Sequence, residues 1–344
     1  MNRSIYSIFN LHIFYILFIG LSLQSAQYQF EECITDHTEI KDTNFDWEYY
    51  IEKNQLSNIA NEQDAFMHYL SIGKEQNLEY CKSFNITIVL HLYDLTLTDW
   101  FIDRINHFIK NNPHNHYSIK ITVPVSSNIT RFTQTVETPA LTSSEIITLM
   151  KQSAPYHRYL ITEKNAPTLY QIHTYLYKKL CIDPGNIQII FCENRGVDIG
   201  GFFLSLDQII KKQHPHDFLI KIHSKLETGW RNGLVFFLDM KINKLLRTYE
   251  CIYTSKYHFP DQGMSPQRIY ELQHKFNLQH MGTFNFAGGT MFIVSSKFTD
   301  FMAQYHLLKL YKMLNMGKHY RYENAFERLF GCIFDYLHLK IFNP

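Results

Sequence analysis

The sequence predicts an α/β protein in which a mostly parallel sheet is flanked by helices and preceded by a small helical module. From Phe84 onward, short apolar runs bounded by turn residues alternate with stretches of helical period, the pattern of strand-helix-strand units. Before Phe84 the apolar spacing is helical only. The chain of 344 residues, 45% hydrophobic, has enough apolar material for one large core and a small companion.

At the start, Arg3 precedes an apolar stretch from Ile13 to Leu23, interrupted by Gly20 and followed by Ser25 and Ala26. This order predicts a signal peptide over residues 1–26, cleaved near Ala26; counted from Ile5, the same stretch reads as a signal anchor. No later segment has the length and apolarity of a membrane helix, so membrane contact is expected only through the N-terminal segment. The remainder is expected in a secretory lumen, a periplasm or the medium. Six cysteines are then free to pair, and Cys33 with Cys81 would brace the small module. None of the six forms the closely spaced pairs of a zinc site, and Cys192 reads as a buried small hydrophobe.

Residues 27–82 contain Phe45-Asp46-Trp47-Glu48-Tyr49-Tyr50 and Ala65-Phe66-Met67-His68-Tyr69-Leu70, with Asn61 as a cap and Gly73 as a stop. This is a helical hairpin with a packing or docking role, or one that offers Trp47 and its tyrosines to a sugar ring. Residues 83–344 form the larger domain. Strands are predicted at Phe84–Tyr93, Tyr117–Val123, Ile187–Cys192 and Asp217–His223, with another apolar strand after Phe286-Ala287-Gly288-Gly289-Thr290. Helices are predicted from Thr98, and at Ser144–Lys151, Thr168–Leu180, Phe202–Ile210, Trp230–Thr248, Pro266–Phe276 and Glu323–Leu337. A net charge of +1 with no cationic run argues against a nucleic-acid partner.

Chemistry concentrates at strand ends. Asn194-Arg195-Gly196-Val197-Asp198 follows one predicted strand, where glycine lets backbone approach a phosphate or sugar; alternatively Asp198 caps the next helix. His223-Ser224-Lys225 ends another strand, where Lys225 can neutralise a diphosphate and His223 can bind a phosphate oxygen or a metal. Gly288, Gly289 and Thr290 permit close approach to a ligand. Glu323 and Glu327 share a helix face and can do general-base work, or form a solvated stripe paired with Arg328 or Arg321.

In content and order these segments resemble the rhamnan synthesis protein F family of glycosyltransferase-like proteins. The resemblance rests on the strand Ile88-Val89-Leu90-His91, the Asn194–Asp198 turn, His223 to Lys225, Trp230, Ala287 to Phe292 and Glu327-Arg328-Leu329-Phe330, and spans most of Phe84 to Leu337. Val197 stands where the family usually has arginine, and Leu226-Glu227 where it is more basic, so positive charge is removed from the diphosphate site. The resemblance implies a GT-A-like (Rossmann-like) fold, and transfer of rhamnose or another deoxyhexose from a nucleotide-sugar donor to a glycan or glycoconjugate acceptor. It implies Asn194, Arg195, Gly196, Asp198, His223 and Lys225 at the donor diphosphate. His91, Trp230, Gly288, Gly289 and Thr290 would line the sugar or acceptor pocket, with Glu327 as base and Glu323 as second choice. Mn2+ or Mg2+, if used, would fall to Asp198 and His223, although His-Ser-Lys stands where related transferases carry an Asp-x-Asp metal motif. The alternatives are a noncatalytic glycan-binding protein on the same fold and a hydrolase using Glu323 or Asp198.

Overall fold

The computed structural model describes residues 45–225, 227–260, 266–278, 284–315 and 322–344. The predicted signal segment and Cys33 lie outside them. Nine strands occur among the described residues: β1 (Asn85–His91), β2 (His116–Pro124), β3 (Ile187–Cys192), β4 (Phe218–His223), β5 (Cys251–Ile252), β6 (His258–Pro260), β7 (Asn285–Ala287), β8 (Phe292–Ser295) and β9 (Ile341–Phe342). Seven form one sheet in the order β3-β2-β1-β4-β8-β5-β9, while β6 and β7 pair antiparallel. β1 through β4 are mutually parallel, and β8 runs antiparallel between β4 and β5. The chain passes from β1 outward to β2 and β3, then returns to place β4 on the other side of β1. The carboxyl ends of β1 and β4 therefore flank a point where strand order reverses, the place where open α/β sheets bind ligands.

Helices cover both faces, which is why β1 and β4 are buried along almost their whole length and read as continuous apolar runs. One core packs Phe101, Ile105 and Phe108 of helix Thr98–Asn111 and Leu169, Ile172 and Leu176 of helix Ala166–Lys179 against Ile88, Ile121 and Ile220. The other joins helices Val197–Lys211, Ser296–Ala303 and Glu323–Tyr336 through interlocking phenylalanines. There Phe292 meets Phe334 edge-on at 5.2 Å between centroids, and Phe298 meets Phe330 at 5.7 Å. Much of the chain's aromatic content serves this packing.

The predicted helix Trp230–Thr248 is broken into Thr228–Leu234, a 3-10 turn Phe236–Asp239 and Asn243–Thr248. The chain leaves helical geometry at Val235 (φ −100°, ψ 18°) and again at Met240 (ψ 155°), while Leu234, Val235, Phe237 and Leu238 all stay buried. Asn112 stabilises the break, donating from Nδ2 to the Met240 carbonyl at 3.0 Å and accepting the Ile242 N–H at 2.9 Å. The apolar strand expected after Phe286-Ala287-Gly288-Gly289-Thr290 is β8; the small residues before it form a turn from the short strand β7, closed from Thr290 N–H to the Ala287 carbonyl at 3.1 Å.

The small module is a pair of helices, Trp47–Asn54 and Glu62–His68, around Tyr50, Ala65, Tyr69 and Tyr80. Asn61 caps the second through the Asp64 N–H at 2.9 Å. Trp47 packs against this cluster, in keeping with a packing role. Arg247 of the larger part donates to Asp46 at 2.6 Å. Cys81, expected to bridge Cys33, is a buried free thiol whose pKa burial pushes up to about 12; among the described residues Cys181 is the disulfide-bonded cysteine. Cys192 is a buried thiol, as its strand position predicts.

Candidate functional site

The chain leaves β3 through a sharp bend. Gly196 takes φ +68° and its N–H donates to the Asn315 carbonyl at 2.9 Å; Val197 follows at φ +51° and opens helix Val197–Lys211. A β-branched residue in the left-handed region is strained, and such strain collects at functional sites. The bend sets Asp198 in the first helical turn. Its side chain does not cap the helix, because it turns inward to β4. Gly201, one turn on, lies against β1 and β2: a Cβ there would meet His91 Nδ1 at 2.2 Å and Thr122 Oγ1 at 2.5 Å. Gly201→Ala is expected to cost about 1–3 kcal/mol through overpacking, measurable by chemical denaturation; unchanged stability would contradict this packing.

Asp198 is held from two directions. Lys221 Nζ, on β4, donates to Asp198 Oδ2 at 2.6 Å, to the Thr290 carbonyl at 2.8 Å and to Thr290 Oγ1 at 2.9 Å; the Thr290 hydroxyl in turn donates to Asp198 Oδ2. Burial alone would push the Asp198 carboxyl up, but the positive field of His223 and Lys221 with these hydrogen bonds holds it well below the usual carboxylate range. Burial pulls Lys221, 1% exposed, below the ordinary lysine value, and Asp198 offsets that pull. Thr290 is at φ +53° after Gly289 at φ +83°, so the turn between β7 and β8 is also bent into left-handed backbone.

His223, at the end of β4, donates from Nε2 to the Gly289 carbonyl at 2.7 Å and stands 3.9 Å from Asp198 Oδ2. His91, at the paired end of β1, is buried; Thr122 Oγ1 lies 2.9 Å from its Nδ1, while Nε2 has no hydrogen-bond partner among the described residues. Burial pushes its pKa down to about 3, so the ring is neutral. Lys225 lies beyond the strand end with its ammonium 3.4 Å from the centre of the Trp230 ring, close enough for a cation–π contact. Glu327 accepts the Gly289 N–H at 2.5 Å, and burial raises its pKa above the ordinary glutamate value despite that bond and nearby Lys225. Gly289 lies within reach of Trp230, since a Cβ there would meet its Nε1 at 3.2 Å.

The structure thus brings together Asp198, His223, Lys225, His91, Trp230, Gly289, Thr290 and Glu327, with Gly288 in the same turn. Four expected residues stand apart. Arg195 turns away, donating to Glu193 at 3.1 Å and to the Leu314 carbonyl at 2.9 Å, so it anchors the segment before Asn315. Asn194 is half-buried in the same bend, and Gly196 serves the bend itself. Glu323 is buried, with Oε1 on the Asn315 N–H and Oε2 on the Tyr322 N–H, both at 3.1 Å, so it braces backbone. Lys221 and Thr122 lie outside the segments whose sequence points to a site. A lysine within the apolar strand Phe218–Ile222 was the available signal, because a lysine buried on both sides must be paired. Thr122, one polar residue in an apolar strand, carries none.

No family model and no curated protein matches the chain. Its site is therefore read from its own chemistry. Asp198 and His223, the residues named for a metal, do not fit one: Asp198 Oδ2 is taken by an ammonium, and His223 Nε2 carries a proton toward a carbonyl. Among the described residues no group of three or more His, Cys, Asp or Glu could hold a metal ion.

Proposed function

We propose that the protein is a glycosyltransferase that takes a sugar, rhamnose or another deoxyhexose, from a nucleotide-diphosphate donor to a glycan acceptor. The observation that carries this is the pairing, at one switch point, of a cation with no hydrogen bond or ion pair among the described residues, Lys225, with a carboxyl of raised pKa, Glu327. Glycosyl transfer needs both: negative charge grows on the departing diphosphate, and an acceptor hydroxyl must lose a proton. Lys225 receives the diphosphate, and Trp230, which already stacks on Lys225, offers its ring to the donor. Glu327, oriented by the Gly289 N–H, removes the acceptor proton; raising a carboxylate's pKa toward neutrality makes it a better base. His91 Nε2 and the Gly288-Gly289-Thr290 turn supply polar groups to a sugar.

The open, mostly parallel sheet with one antiparallel strand and its site at the reversal of strand order is compatible with a Rossmann-like, GT-A-like fold. Cys181 in a disulfide supports an oxidising, secretory setting. A hydrolase built on Asp198 and Glu323 gains no support, since Lys221 holds the first and backbone amides the second.

Ligand-observed binding to a panel of nucleotide sugars tests the reading. One donor class is expected to bind, with Lys225→Ala weakening it roughly 10- to 100-fold, the value of one lost charge-assisted hydrogen bond. Failure of every nucleotide to bind folded protein would instead favour a glycan-binding protein.

A further inference from the structure

The oxygens around Lys221 have the makings of a metal site but hold an ammonium. Asp198 Oδ2, Thr290 O and Thr290 Oγ1 surround Nζ at 2.6, 2.8 and 2.9 Å. The residues that bring them there, Val197 beside Asp198 and Thr290 itself, are both β-branched and both left-handed, at φ +51° and +53°. Each such conformation is strained and persists only where its surroundings impose it. The cage is closed as well as strained, with Lys221 1% exposed and His223 presenting a proton at Nε2. Mg2+ asks for near-octahedral oxygens at about 2.1 Å, which an ammonium in the middle of the oxygen set forbids.

We infer that Lys221 is a built-in cation standing where a divalent metal would otherwise sit, so that this site binds a diphosphate without one. Lys221 is a positioning residue, because it is too deeply buried to touch the ligand. Its effect runs through charge. Asp198 is near enough to act electrostatically on Lys225 and, left unpaired, would claim that positive charge. With Asp198 neutralised by Lys221, the charge of Lys225 is left for the donor. The diphosphate in this inference rests on the transferase reading; the cation cage rests on geometry alone.

Titrating the full-length protein with MnCl2 under electron paramagnetic resonance, and separately with uridine diphosphate in EDTA or in MnCl2, tests it. The wild type is expected to bind no Mn2+ at this site, and nucleotide affinity to agree within about twofold between EDTA and Mn2+. Lys221→Ala opens the cage and gains a Mn2+ site that Asp198→Asn/Lys221→Ala lacks. One Mn2+ per wild-type chain, lost in Asp198→Asn, would overturn the inference, as would a tenfold gain in nucleotide affinity on adding Mn2+. The wild-type titration needs no variant, so it decides even where Lys221→Ala fails to fold. Absence of nucleotide binding in both buffers would sink the transferase reading while the Mn2+ result still judged the cage.

Discussion

Asp198→Ala lowers the stability of the protein by about 3–5 kcal/mol, because it strands the buried Lys221 ammonium without its counter-charge. Urea denaturation followed by tryptophan fluorescence measures this. The double variant Asp198→Asn/Lys221→Met recovers most of the loss, since removing both partners of a buried pair is far milder than removing one. The pH dependence has a defined sign. Asp198 has a depressed folded pKa, so its contribution is complete above the unfolded carboxylate value of about 3.9 and fades as pH falls below that. The acid limb of the stability curve is therefore steeper in the wild type than in the double variant. Equal stability of Asp198→Ala and wild type at pH 7 would mean that the Lys221 pair is not formed. One consequence is practical: lost ligand binding in Asp198→Ala is open to misreading as a lost contact.

If the protein is the transferase proposed, Glu327→Gln is expected to lower sugar transfer by about 10² to 10⁴ while leaving donor binding nearly intact. The amide keeps the Gly289 hydrogen bond and the shape, and loses only the basicity. The same variant gains stability at neutral pH. A glutamate whose folded pKa is raised stabilises the fold in its protonated form below the unfolded value of about 4.3, and loses that contribution as pH rises through its folded value. The gain should therefore be present at pH 7 and vanish near pH 4, a pattern that thermal melts at the two pH values resolve. A variant both less active and less stable at pH 7 would assign Glu327 a structural role.

The strands and most helices were legible because the apolar periods are strong; Ile187–Cys192 has the same ends in sequence and structure. The break at Val235 was not, since the apolar spacing across it stays helical and the side chain that holds it, Asn112, is far away in the chain. The strand-end residues His223, Lys225 and Gly289 were legible as a candidate site, because charge and glycine at strand ends are local features. The partners of Asp198 were not, because pairing between a helix start, a strand and a turn is tertiary information. Arg195 and Glu323 show the converse. Each looks chemical in its motif, and each is spent on backbone of the Leu314–Asn315 segment. Cys81 likewise looked like a bridge partner by spacing, and is buried as a thiol.

Hydrogen–deuterium exchange of the protein with and without a saturating nucleoside diphosphate tests the central claim most directly. Protection is expected at the end of β4 through Lys225, in the Ala287–Thr290 turn and at the start of helix Val197–Lys211. Protection confined to another part of the sheet, or none at saturating ligand, would contradict a donor site at the β1–β4 switch point.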